Sequence, residues 1–176
     1  MDTLRRALFD SLLGPLTLVA RDDALVGVYF PGHRVEPERA LAGDEVTLDD
    51  PLLSAVAGQL GEYLAGERTH FDVPVAPEPR SDLEGRVWGL LQEIDFGTTT
   101  TYGALARELG DPHLAQAVGG AVGRNPVSII VGCHRVLGSD GSYTGFAGGE
   151  RRKAWLLGLE AHVSGRSLFA PEWAGE

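Results

Sequence analysis

The segment Pro74 to Pro79, read PVAPEP, constrains this chain most. Three prolines in six residues remove the N–H donors that a strand or a helix needs, so regular structure cannot run through it. The residues before it read as three strands and a helix, and those after it read mostly as helices. A chain of 176 residues has room for a core on each side of such a break. The division therefore expected is an N-terminal unit with its linker over 1–80, a second unit over 81–165 and a tail over 166–176.

In the first unit, Leu4–Ser11, Leu16–Arg21 and Ala24–Phe30 read as three strands. Gly14-Pro15 and Asp22-Asp23 are the turns between them, which makes an antiparallel meander. A polar loop rich in Asp and Glu follows. Asp50 then caps a helix with Pro51 at its first position, and Leu53, Val56, Leu60 and Leu64 share one face until Gly66. Thr69–Val75 reads as a returning edge strand.

In the second unit, Ser81 and Glu84 have capping-box spacing ahead of Leu83, Val87, Leu90, Leu91 and Ile94, with Trp88 as a further anchor. Thr101 can cap a helix over 102–109. Gly110-Asp111-Pro112 makes a tight turn into a second helix over 113–122, and the pair spells helix-turn-helix. That second helix is rich in Ala115, Ala117, Gly119, Gly120 and Ala121, and its polar side chains are His113 and Gln116. Small residues let another backbone come close, whether that of a nucleic-acid groove or that of the protein itself.

Asn125–Val136, NPVSIIVGCHRV, holds the single cysteine, Cys133, with His134 directly behind it. Val127–Val131 reads as a short buried strand that Gly132 breaks one residue before the sulfur. Two readings of Cys133 stand on this pattern: a small apolar filler and a nucleophile beside a base. Leu137–Gly149 is a glycine-rich loop without the Gly-Lys-Ser/Thr ending of a phosphate loop, and it suits a lid over a small pocket. In the last helix, ERRKAWLLGLEA, the residues Trp155, Leu156 and Leu159 face a core. Glu160 is either solvated or an orienting carboxylate for His134.

One cysteine excludes an internal disulfide and a multi-cysteine zinc site, and no metal or cofactor is expected. The opening residues lack a secretory apolar segment, and no apolar run reaches the roughly 20 residues of a membrane helix. A soluble, cytoplasmic monomer with no membrane partner is the expectation. The net charge of −10 argues against a general basic surface for nucleic acid. Most of the acid lies in front, however: residues 1–80 carry −7, residues 81–165 carry −2 and the tail −1. A DNA site in the second unit stays open, with affinity strongly dependent on salt.

Taken together, these motifs resemble the O6-alkylguanine-DNA alkyltransferase family over nearly the whole length. The residues that carry the likeness are Asn125-Pro126, Cys133-His134-Arg135-Val136, Gly145-Phe146-Ala147-Gly148-Gly149 and Trp155-Leu156-Leu157 with Glu160. Thr101-Tyr102-Gly103 and Ala117-Val118-Gly119 add to it. The resemblance implies an α+β chain: a ribonuclease-H-like N-terminal antiparallel sheet with a helix, then a mostly helical winged helix-turn-helix unit. It implies binding of double-stranded DNA through the minor groove and flipping of the damaged base. The alkyl group then passes irreversibly from O6 of guanine, and from O4 of thymine, to Cys133.

In that scheme His134 takes the thiol proton through a water, Glu160 orients the imidazole, Asn125 joins the network and Tyr102 donates toward N3 of the departing base. Val136, Phe146 and Ala147 meet the base. Thr101, Gln116, Gly119, Arg124 and Arg135 lie on the DNA side. Nothing in the chain cleaves a thioether, so each molecule acts once. Two positions depart from the family: Gly132 stands where a proline usually precedes the nucleophile, and Gln116 stands where an arginine usually fills the gap left by the flipped base. Both point to slower transfer and weaker DNA affinity, with Arg124, Arg151, Arg152 and Lys153 either compensating at phosphates or forming a solvated face. A sensor that binds alkylated DNA without repairing it, and a Cys-His hydrolase, are the alternative functions.

Overall fold

A computed structural model of the chain describes residues 3–33 and 43–175; the middle of the predicted polar loop, 34–42, lies outside them. Two compact units are formed, one running to Pro77 and taking in Pro126–Ile130, the other made of Glu78–Asn125 and Val131–Glu176.

The first unit is a sheet with one helix. Strands β1 (Leu4–Ser11), β2 (Gly14–Arg21) and β3 (Ala24–Tyr29) form the antiparallel meander, with Leu4 opposite Arg21 and Ser11 opposite Gly14. The register of β2 and β3 shifts between Val19 and Ala20. Gly14 at φ 105° and Asp22 at φ 48° sit at the two turns, where glycine and aspartate tolerate left-handed backbone. A two-residue strand, β4 (Asp44–Glu45), adds parallel to β1 at Arg5 and Arg6, giving the order β3-β2-β1-β4.

Helix α1 (Pro51–Leu64) starts where Asp50 accepts a 3.0 Å bond from the Leu53 amide, and Arg5 of β1 holds the other oxygen at 2.7 Å. Leu53, Val56, Leu60 and Tyr63 are buried, as are Leu16, Leu18, Leu25 and Val28 of the strands. The expected edge strand over 69–75 does not form. Among the described residues its pairing is a single bridge from Val75 to Leu25, with Leu25 N donating to Pro74 O and Ala76 N to Leu25 O. Pro74 and Pro77 have no N–H to continue the ladder.

The second unit is mostly helical. Ser81 caps α2 (Asp82–Gln92) by accepting from Glu84 N at 3.2 Å. Glu84 does not return to Ser81 as a capping box would. It accepts from Arg80 N at 2.8 Å and from Arg124 Nε at 2.5 Å. Trp88 Nε1 donates to Ala121 O at 2.9 Å and so anchors α2 on α4 (Ala115–Gly123). Between them, Thr101 caps α3 (Tyr102–Glu108) through a 3.0 Å bond from Ala104 N. The predicted second helix begins later than expected, because Asp111 and Pro112 first set a single 3-10 turn over Pro112–Leu114. Short strands β5 (Thr100–Thr101) and β6 (Val136–Leu137) pair in parallel, and α5 (Glu150–Val163) follows the glycine-rich loop. No helix among the described residues is long and apolar enough to cross a membrane.

Candidate active site around Cys133

The residues before Cys133 do not form the strand that their β-branched composition suggests. After a single bridge from Val127 to Val28, the chain makes two γ-turns. Ile130 N bonds back to Ser128 O around Ile129, and Cys133 N bonds back to Val131 O around Gly132, both at 2.8 Å. Ile129 has φ 70°, an uncommon conformation for a β-branched residue, and it is held there fully buried. A run of apolar side chains shows burial, but it cannot show whether the backbone is straight.

Gly132 has φ −72° and ψ 44°, inside the range that a proline ring would fix. A Cβ at this position would meet Arg135 Nη1 at 3.1 Å, Arg135 Cδ at 3.2 Å and Leu91 O at 3.3 Å, so the neighbours must give by a few tenths of an ångström. Gly132→Pro is therefore expected to stabilise the protein by about 0.5 kcal/mol, from the reduced freedom of the unfolded chain. Gly132→Ala, which adds the contact without the lock, is expected to fall at or below the parent. Urea midpoints at unchanged slope test the order Pro, Gly, Ala.

Cys133, His134 and Arg135 form one 3-10 turn, all buried, with Cys133 only 4% exposed. His134 Nε2 lies 3.1 Å from Glu160 Oε2 of α5. Arg135 grips the same carboxylate, with Nε 2.7 Å from Oε1 and 3.1 Å from Oε2 and Nη2 2.6 Å from Oε1. Its remaining arm donates to Ile94 O at 2.7 Å, and its guanidinium lies 5.9 Å from the Phe96 ring centre. The resemblance implies a DNA-side place for Arg135; in the fold it is an interior partner of Glu160. The reading of Glu160 as a carboxylate that reaches His134 is the one this geometry matches.

Burial raises the Glu160 carboxyl, and the bonds and charge of His134 and Arg135 more than offset this, leaving it below its ordinary value. An ionised Glu160 can only accept, so Nε2 of His134 carries the hydrogen and Nδ1 keeps a lone pair. Burial lowers the His134 pKa, so the ring is neutral at pH 7 and able to take a proton. Burial also raises the Cys133 thiol. The Asn125 side chain, the Lys153 charge and the amides of Cys133 and His134 act against that rise without reversing it. At rest the group is a thiol.

Lys153, on the second turn of α5, is fully buried, and sequence reasoning placed it on the surface. Its ammonium donates to Val136 O and, at 3.4 Å, to Thr144 O. Burial lowers its pKa to about 8, against the pull of Cys133 and Glu150. Arg152 is also buried, donating to Gly148 O at 3.1 Å, so of the basic trio only Arg151 is exposed. The run Arg-Arg-Lys reads as a solvated face by charge alone; position 153 falls two residues before Trp155, and that spacing does not distinguish an inward lysine.

The remaining predicted residues divide between the interior and the surface. Asn125 is buried and donates to Val131 O at 3.4 Å. Tyr102 donates its phenolic hydrogen to Thr144 O at 2.8 Å. Phe146, buried, sets its ring edge-on to His134 at 6.5 Å, and Ala147 is partly buried beside it. Gly119 faces the Tyr102 ring, where a Cβ would lie 3.7 Å away, and a Cβ on Gly123 would lie 3.3 Å from Gly145 O. Gly119 and Gly123 of α4 are thus occupied within this unit, while Ala117 is exposed. Gln116 is exposed in the first turn of α4. Thr101 is used as a helix cap, and Arg124, predicted at phosphates, is tied to Glu84 with 41% of its side chain still exposed. No cluster of metal-ligating side chains occurs among the described residues.

Comparison with known proteins agrees over both units. Residues 4–77 match the sequence model of the 6-O-methylguanine DNA methyltransferase ribonuclease-like domain, and residues 82–162 match that of the same family's DNA binding domain. A methylated-DNA–protein-cysteine methyltransferase of Mycolicibacterium paratuberculosis is 42% identical over 159 residues, which is 90% of this chain and 93% of the relative. One from Methanosarcina acetivorans is 40% identical over 88% of this chain and 96% of its own length. The crystal structure of Mycobacterium tuberculosis O6-methylguanine methyltransferase superposes with a TM-score of 0.81 at 38% identity, covering 94% of this chain and 95% of that one. The structure of Mycobacterium tuberculosis OGT in complex with DNA gives 0.81 at 37% identity, covering 90% and 94%. With both of its halves matched, the chain belongs to the 6-O-methylguanine DNA methyltransferase family.

Proposed function

We propose that this protein repairs DNA by direct reversal, moving the alkyl group from O6 of guanine, and from O4 of thymine, to Sγ of Cys133 in a single irreversible turnover. The observation that carries this reading is the buried Cys133-His134-Arg135 turn with Glu160 and Lys153 around it: a thiol, a neutral base and a cation buried together. The relatives named methylated-DNA–protein-cysteine methyltransferase support it.

In the step, Cys133 gives its proton to His134 Nδ1 through a water, and the sulfur attacks the alkyl carbon. The S–C bond forms as the C–O6 bond breaks, and the electron pair leaves with the base. The imidazolium is stabilised by Glu160, which Arg135 keeps ionised. Lys153 supplies positive charge near the sulfur while it is a thiolate. Tyr102 donates at rest to the Thr144 carbonyl; entry of the base exchanges that bond for one to N3 of the departing guanine. The resulting thioether has no partner group to cleave it, so turnover stops.

The helix pair α3 and α4 serves as the helix-turn-helix of a winged unit, binding double-stranded DNA as a monomer through the minor groove. The lesion is flipped into the Cys133 pocket, where Val136, Phe146 and Ala147 meet it. Gln116, exposed on the first turn of α4, bonds the orphaned base in this reading, but it brings no charge to the phosphates. Duplex affinity is therefore lower than an arginine would give. The test is intact-mass analysis after incubation with a duplex holding one O6-methylguanine. One methyl per chain, mapped to Cys133, is expected. Binding without an adduct would make the protein a sensor, and repeated turnover on an ester would make it a hydrolase.

A further inference from the structure

The tail after α5 takes a defined path back along the helix. At the helix end, Gly165 takes φ 76°, and Arg166 N and Ser167 N both bond back to Ala161 O, at 2.8 and 3.1 Å. The chain then reverses. Ser167 O meets His162 Nδ1 at 3.1 Å, and Pro171 covers Gly158, where an added Cβ would lie 3.2 Å from Pro171 Cβ. Trp173 reaches the first turn of the helix, with the guanidiniums of Arg151 and Arg152 at 5.9 and 5.7 Å from its ring centre. The contacts step from residue 161 to 158 to 152, so the tail lies antiparallel along α5 from its C-terminus to its N-terminus. The span from 161 to 152 is about 14 Å along a helix, and the six steps from Ser167 to Trp173 can cover about 20 Å when extended, which is enough to reach.

The tail therefore ends on the arginine that touches the glycine-rich loop. Arg152 donates to Gly148 O at 3.1 Å, the next residue of α5 is Lys153, and Phe146 of the loop sets its edge on His134. A continuous line of contacts runs from Trp173 through Arg152 and the Gly148 carbonyl to the ring beside the base. An arginine held on one face by an aromatic ring has fewer directions in which to point, and indole is the best such platform among the aromatic side chains.

We propose that Trp173 is a positioning residue for alkyl transfer: it seats Arg152 on the Gly148 carbonyl and so fixes the loop that walls the Cys133 pocket. The inference rests on the alkyl-transfer reading of the Cys133 site. Its device is the strap formed by 166–175, and its effect falls on the chemical step, because the loop must be in place when sulfur and carbon are in line.

Three full-length variants test it. Trp173→Ala removes the platform. Trp173→Phe keeps a ring there. Gly158→Leu removes a glycine from a helix, which favours folding, while its side chain displaces Pro171 and the strap with Trp173 left intact. The first-order rate of methyl transfer inside the preformed complex with an O6-methylguanine duplex is measured by rapid quench, alongside duplex affinity. Trp173→Ala and Gly158→Leu are expected to slow that rate about tenfold, with one methyl per chain at the end point and affinity within about twofold of the parent. Trp173→Phe is expected within about threefold of the parent rate. Parent-like rates in both disruptive variants overturn the proposal. So does a loss that appears only in affinity, or a gain in affinity at unchanged rate, which would mean that Trp173 merely withholds two cations from phosphates. Failure of the parent protein to take up a methyl would instead remove the alkyl-transfer reading itself.

Discussion

Cys133→Ala is expected to take up no methyl group at any time of incubation with O6-methylguanine duplex, while its affinity for that duplex stays within about twofold of the parent. The loss is complete because Cys133 is the protein's single cysteine and no other side chain around it is a comparable nucleophile. The fold should hardly notice. The group at rest is a protonated, buried thiol, so the substitution removes one atom's packing and no charge, at a cost of about 1 kcal/mol. Intact mass and fluorescence anisotropy of a labelled duplex decide the matter: a methyl that still appears on the Ala variant would identify another acceptor. In the parent, transfer should fall on the alkaline side as Lys153, with its pKa of about 8, loses its charge, and on the acid side through His134. Burial holds the His134 pKa below its ordinary value of 6.5, so the base becomes protonated, and the acid loss sets in, only below that pH. An acid midpoint above 6.5 would contradict a buried neutral imidazole.

Glu160→Gln is expected to be the most destabilising single change in the second unit, by about 3–5 kcal/mol, or on the order of 10 °C in melting temperature. Arg135 is buried, and three of its contacts, at 2.6, 2.7 and 3.1 Å, are to this carboxylate. An amide in its place leaves the guanidinium as an uncompensated interior charge. The same change removes the anion that steadies the His134 imidazolium, so transfer should slow along with the loss of stability. A second substitution, Arg135→Met, made in the Glu160→Gln background, should recover part of the stability and none of the transfer. A thermal melt of parent, single and double variants checks this, and equal melting temperatures for parent and Glu160→Gln would mean that the pair is not buried as described. The acid side has a definite sign. Because the folded Glu160 pKa lies below its unfolded value, its contribution is present above the ordinary carboxylate range and is lost as pH falls through the lowered folded value.

Much of this fold is legible in the chain. β1 coincides with the run Leu4–Ser11, and α1 starts at Asp50-Pro51, because alternation, capping side chains and proline placement act over a few residues and tolerate few rivals. The family resemblance groups Cys133, His134 and Glu160, whereas the residue pattern alone leaves Glu160 between solvent and His134. The failures share one cause. Val127–Val131 is apolar enough for a strand, yet it makes γ-turns with Ile129 at φ 70°, a conformation paid for by burial that distant residues supply.

Arg135 and Lys153 carry the same lesson for charge. A formal charge in sequence predicts solvent, and here both side chains lie inside, one on the Glu160 carboxylate and the other on the carbonyls of Val136 and Thr144. By itself the sequence offered one thiol and, through the family resemblance, an imidazole and a carboxylate to set beside it. Only the tertiary structure decided where the neighbouring cations go and what shape the backbone takes around Gly132. A side chain's charge is local to its residue, but the desolvation and partners that set its energy come from segments distant in sequence.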